Sequence, residues 1–125
     1  MLRRIVPFIL ILALVLTGCG KGKPNDISEA HYKYGLKALE IADEYLDFNT
    51  TAKIARIKIE ALTKEKDSLP KTEFKSPDHA KNTSVESKVT LLSYDLLQID
   101  TGSGSYDDLL KRRNELAEIL NEKKR

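Results

Sequence analysis

Two histidines, one cysteine and dispersed carboxylates and tyrosines are what this chain offers to chemistry. His31 lies two residues after Glu29, and His79 directly follows Asp78. An imidazole near a carboxylate can serve general acid–base catalysis or bind a metal. A tetrahedral zinc site needs four ligands, and no two histidines stand at i, i+4. Both rings would have to converge with carboxylates from separate segments. The expectation is therefore no metal and no cofactor. Tyr34, Tyr45 and Tyr106 fall among apolar residues at helical spacing, which reads as packing rather than catalysis. Cys19 is the sole thiol, so no disulfide can form within the chain.

The run Ile99-Asp100-Thr101-Gly102-Ser103 locally resembles the active-site signature of aspartic proteases. That chemistry requires a second aspartate facing the first across a β-architecture, so that two carboxylates share one proton. Here the preceding residues are leucines at heptad spacing, and the run reads as the end of a helix with Gly102 free to take a positive φ. Gly102 and Gly104 precede a helical segment and could approach a phosphate, but the Gly-Lys-Ser/Thr ending of a phosphate-binding loop is missing. The chain is expected not to be an enzyme.

The elements that would carry these residues are all helical. Ser28 can cap a first helix running to about Phe48, with Tyr34, Ala38, Ile41, Tyr45 and Phe48 on a face that Leu39, Ala42 and Leu46 widen. Leu36 falls on its charged side. Asn49, Thr50 and Thr51 supply turn and cap chemistry for a second helix to about Lys66, with Ile54, Ile57 and Ala61 on one side and Ala55, Ile59 and Leu62 on another. Ser68 to Asn82 contains Pro70 and Pro77 and reads as a long loop, with Phe74 either a contact for a partner or a plug for the core. Thr83 and Glu86 form a capping box for a third helix to about Asp100, with Val85, Val89, Leu92, Leu96 and Ile99 as its seam. Leu91, Tyr94 and Leu97 point elsewhere and suggest further neighbours. Ser105 can cap a fourth helix to about Glu122, with Asp107 and Asp108 in its first turn and Lys123, Lys124 and Arg125 complementing the dipole at its end. The predicted fold class is all-α, a small four-helix bundle of two αα-hairpins joined by a long crossover loop.

Ahead of the bundle stands Leu16-Thr17-Gly18-Cys19, at the end of an apolar run that begins just after Arg3 and Arg4. A basic start, about twelve apolar residues and small residues before a cleavage point are the layout of a secretory signal, too short to span a bilayer as a helix. The four residues resemble a bacterial lipobox. The resemblance implies that the Cys19 thiol receives a diacylglyceryl group, that a signal peptidase cuts between Gly18 and Cys19, and that no thiol is left for other chemistry. It divides the chain into 1–18 signal peptide, 19–27 lipidated cysteine and flexible tether, and 28–125 helical bundle domain. Such a tether reaches about 15 Å on average, so the domain is expected close to the membrane. Gly20 after the cysteine resembles what is sorted to an outer membrane in a host that has one.

The formal net charge of the full chain is +2. Loss of Arg3 and Arg4 lowers Lys plus Arg from 21 to 19, against 19 Asp plus Glu. A neutral mature chain argues against nucleic acid as a partner. The expected partners are membrane lipid, through the Cys19 diacylglyceryl anchor, and a membrane-proximal protein. The functional expectation is an interaction module at the extracytoplasmic membrane face. In size and address the chain resembles small envelope lipoproteins, including those by which mobile elements exclude competitors. The alternative is a helical module that holds a lipid or small apolar ligand between its helices.

Overall fold

The computed structural model describes residues 22–125. The stretch 1–18 expected to be a signal peptide and the lipobox-like residues Leu16, Thr17, Gly18 and Cys19 lie outside the described residues. Among the described residues there are four α-helices and no strand: α1 (Glu29–Leu46), α2 (Ala52–Thr63), α3 (His79–Asp100) and α4 (Tyr106–Ile119), with a 3-10 turn at Lys64–Ser68. Three of the four starts follow from side-chain capping. The Ser28, Thr51 and Ser105 hydroxyls accept from the backbone N–H of His31, Ile54 and Asp108 at 3.1, 3.2 and 3.1 Å, satisfying donors that the helix itself leaves open.

The start of α3 corrects the sequence reading. Thr83 and Glu86 lie inside the helix, which begins at His79 after Asp78. The reason is tertiary. The Asn82 side chain, fully buried, accepts from the Ser28 N–H at 2.9 Å, and Glu86 meets the buried His31 ring at 2.9 Å. Neither Asn82 nor Glu86 is free for the local capping pattern, and the extra turn places both against the start of α1. The ends of α2 and α4 also fall short of Lys66 and Glu122: α2 tightens into the 3-10 turn, and α4 stops at Ile119.

Successive helices pack on one another, α4 closes onto α1, and α1 also meets α3 across the core. This is an up-and-down ring of antiparallel neighbours joined by short turns at one pole and by the crossover at the other. Val85, Val89, Leu92 and Leu96 have no exposed surface and form the centre, with Ile59, Leu109, Leu116 and Leu120 around them. Ala38, Ala42 and Ala55 are equally closed off, so the helices approach closely. Gly35 allows the tightest approach: a Cβ there would lie 2.8 Å from Leu120 Cδ1 and 3.2 Å from Val85 Cγ1.

Several facings differ from expectation. Only Ala55, Ile59 and Leu62 of α2 are buried, while Ile54, Ile57 and Ala61 face outward. Leu36 is half-buried against the core rather than on a solvated side. Tyr94 and Leu97 are exposed, so it is not they that give α3 its several neighbours. The terminal basic residues do not cap α4. Asn121 takes a positive φ of 58° and turns the chain back along the bundle. Arg113, itself buried, holds Asp43 through two bonds of 2.8 and 3.0 Å and the Lys123 carbonyl at 2.6 Å, while Arg125 reaches both Asp43 and Asp47. A guanidinium fork satisfied on both edges by carboxylate and carbonyl can be buried where a lysine could not.

Candidate functional site

The structure sets one candidate catalyst, His31, between a hydroxyl and a carboxylate. His31 Nδ1 lies 2.6 Å from the Ser28 hydroxyl, and Nε2 lies 2.9 Å from Glu86 Oε2. Serine, imidazole and carboxylate in a row have the connectivity of a nucleophilic triad. Here the row serves the fold. The Ser28 hydroxyl is already the acceptor of the helix cap, and the His31 ring has no exposed surface from which to pass a proton to a leaving group. With Nδ1 accepting from Ser28 and Nε2–H donating to Glu86, every polar atom of the ring is used. Together with Asn82 the row latches the start of α1 to α3.

The other candidates are separate. His79 Nδ1 sits 3.2 Å from the Thr72 carbonyl, and its ring touches Phe74. Asp100 closes α3 and pairs with Arg56 at 2.7 Å, which together with Glu60 raises the guanidinium pKa. Gly102 takes a φ of 89° one residue after the cap Thr101. Ser103 N–H bonds back to the Gln98 carbonyl at 2.9 Å, the hydrogen-bond pattern that ends a helix with a left-handed residue. Among the described residues no three His, Cys, Asp or Glu side chains gather as a metal site.

The two most exposed large apolar side chains among the described residues, Phe48 and Phe74, are aromatic and lie at opposite poles. At the pole where α1 and α3 begin, the crossover turns outward and leaves Phe74 86% exposed, its ring centroid 5.5 Å from that of His79. Phe74 is therefore not the plug; Leu69 packs against the core instead. The chain leaving this pole toward Cys19 is not the free tether that the sequence suggested. Pro24 and Ile27 are buried, Lys23 Nζ donates to the Ile27 carbonyl at 2.8 Å, and Asp26 pairs with Lys81 at 3.0 Å. That lysine also lowers the Asp26 pKa.

At the opposite pole, Phe48 follows the cap of α1 with a φ of 61°. Its N–H bonds to the Tyr45 carbonyl at 3.0 Å and that of Asn49 to the Glu44 carbonyl at 2.9 Å, so Phe48 occupies the left-handed position that usually belongs to glycine. It is 82% exposed and stacks on Tyr106 with ring centroids 5.9 Å apart. Tyr106 in turn donates its hydroxyl to the Leu46 carbonyl at 3.0 Å. Sequence reasoning placed Phe48 on the buried stripe. The signal that could have placed it outside is the lack of glycine where the first helix had to stop.

The grooves between elements are open and polar at their rims. One, of about 460 Å³, runs under the crossover between Lys66, Leu69, Thr72, His79 and Glu86; another, of about 410 Å³, lies over Leu36, Leu39, Asp43 and Arg113. Neither is a closed chamber between helices of the kind that an apolar ligand would fill. No helix among the described residues is long and apolar enough to cross a membrane. Comparison of the chain with protein-family models, with curated proteins and with solved structures returns no match.

Proposed function

We propose that the protein is a bacterial lipoprotein, anchored through Cys19 at the extracytoplasmic face of a membrane, whose helical bundle binds a protein through the pole carrying Phe48 and Tyr106. The observation that carries the reading is the placement of Phe48. A bulky residue held in the left-handed region costs about 1 to 3 kcal/mol, and an exposed ring recovers little of that by burial. Glycine would be cheaper in the free protein. An aromatic that is strained, solvent-facing and steadied by a second ring has the character of a contact residue, since rigid aromatics carry much of the energy of protein interfaces. The eighteen residues of α1 separate this pole from the tethered end by about 27 Å at 1.5 Å per residue, so it faces away from the anchoring membrane. Phe74, the sequence's own candidate for partner contact, stands at the wrong end for that task.

The test is a photo-crosslinking residue placed in cells at position 48 and, as a control, at the exposed Thr90 on the outer side of α3. Position 48 is expected to capture a discrete partner that position 90 does not. In a second arm, with the crosslinking residue moved to the neighbouring exposed Asn49, Phe48→Gly is expected to abolish capture while leaving thermal stability unchanged or higher, because relief of the strained φ offsets the lost ring stack. Capture that survives Phe48→Gly removes this pole from the proposal. A melting temperature that rises with monomeric fatty acid but not with intact vesicles would favour the ligand-carrier alternative.

A further inference from the structure

We infer that the pole bearing Phe74 is itself a lipid-contact surface, docked against the bilayer that holds Cys19. The inference rests on the anchoring proposed above and assigns a role to the end of the bundle which that reading leaves idle.

Residues from Lys23 onward are held to the bundle by the burial of Pro24 and Ile27, by the Lys23 Nζ bond to the Ile27 carbonyl and by the Asp26–Lys81 pair. Four residue steps therefore separate Cys19 from the packed domain, and fully extended they span at most about 14 Å. The latch of Ser28 to Asn82, and of His31 to Glu86, keeps this exit point against α3. A rigid body on so short a lead cannot stand off from the headgroup layer. Its nearest surface must meet that layer.

The surface in question is the start of α3 and the crossover that feeds it. His79 begins α3, and the side chains of Lys81 and Asn82 in the same turn hold Asp26 and the Ser28 N–H. Phe74 rests on the His79 ring, so it projects from the same pole as the exit point. Lys71 and Lys75 flank it and are exposed. An outward aromatic between lysines suits the boundary between headgroups and acyl chains, where a ring can bury its apolar face while ammonium groups stay wet. The carboxylates of the crossover, Glu65, Asp67, Glu73 and Asp78, match its lysines Lys64, Lys66, Lys71 and Lys75 in number. Contact should then depend on insertion of the ring more than on anionic lipid, and should survive raised salt.

The chain contains no tryptophan, so Phe74→Trp and Phe48→Trp each give a single-reporter protein. The experiment uses the mature lipidated chain, beginning at Cys19, in phosphatidylcholine vesicles with and without brominated acyl chains. Trp at position 74 is expected to emit at shorter wavelength than in detergent-free soluble chain lacking the anchor, and to be quenched by bromolipid severalfold more than Trp at position 48, in low and in high salt. Equal quenching at the two positions, in chains whose intact mass confirms lipid on Cys19, overturns the docked pole and leaves the anchoring intact. An intact mass without lipid on membrane-fraction protein overturns the anchoring and the docked pole with it. Quenching at position 74 that disappears at high salt overturns insertion of the ring.

Discussion

Tyr34 shows how a buried polar atom can cost stability without serving a site. Its hydroxyl is shut from solvent with no partner among the described residues, and burial, followed by the nearby Glu86 and Glu65 carboxylates, pushes its pKa up to about 12. The folded protein holds this proton more tightly than the unfolded chain, so the associated stability is intact below pH of about 10 and lost between about 10 and about 12, by at most about 3 kcal/mol. Tyr34→Phe removes both the unpaired hydroxyl and this titration. The variant is expected to equal or exceed the parent by up to about 1 kcal/mol at neutral pH, with a shallower decline of melting temperature above pH 10. A clear loss at neutral pH would show that the hydroxyl is satisfied, for instance by a bound water. Residues of this kind are invisible to pattern reading. Tyr34 was legible as a core position from its spacing, whereas the fate of its hydroxyl depends on what α3 and the crossover bring near it.

Among the elements, α1 and α3 each meet the other three helices, and α3 brings Val85, Val89, Leu92 and Leu96 to the centre of the core. Leu92 and Leu96 have no exposed surface, and truncation of either to alanine is expected to cost about 2 to 5 kcal/mol. Leu36 is half-buried against the core, so Leu36→Ala should cost about half as much, more than the negligible effect that its place on a charged helix side suggests. Denaturant melts of the three variants check the order; a Leu36 effect equal to that of Leu92 would mean that the groove over α1 is tighter than described. The seam of α3 could be read directly from its repeat of fours and threes. The facing of α2 could not. Two apolar sides compete in that helix, and only the positions of α1 and α3 decide that Ala55, Ile59 and Leu62 turn inward while Ile54 and Ile57 remain outside.

For the whole molecule, the proposed address and the folded body make separate predictions. Cys19→Ala is expected to leave an uncut and unlipidated precursor, since the lipidation step has no thiol to modify and cleavage depends on it. The bundle should nevertheless fold, because its core is closed by residues 24–120 alone. Intact mass and circular dichroism read the two outcomes independently. A variant that is still cut after Gly18 and carries lipid would refute the lipobox reading, and one that is uncut and unfolded would mean that the bundle needs its release.

The sequence by itself determined that this chain is a small bundle of four helices, because 3.6-residue periodicity and Ser or Thr caps are local properties that each segment carries whatever surrounds it. It also marked Gly102 as the left-handed residue that ends α3, since glycine is the residue that tolerates that φ without strain. The tertiary structure decided the rest, since burial is a relation between segments. The pull of Ser28 and His31 on Asn82 and Glu86 added a turn to α3 and displaced its predicted cap. Packing of Pro24 and Ile27 consumed most of what composition alone described as a tether. Closure of the ring left Phe48 and Phe74 outside at opposite poles, although one had the spacing of a core residue and the other read either as a partner contact or as a plug. A residue type sets how much free energy its burial would release, but only the arrangement of its neighbours determines whether it is buried.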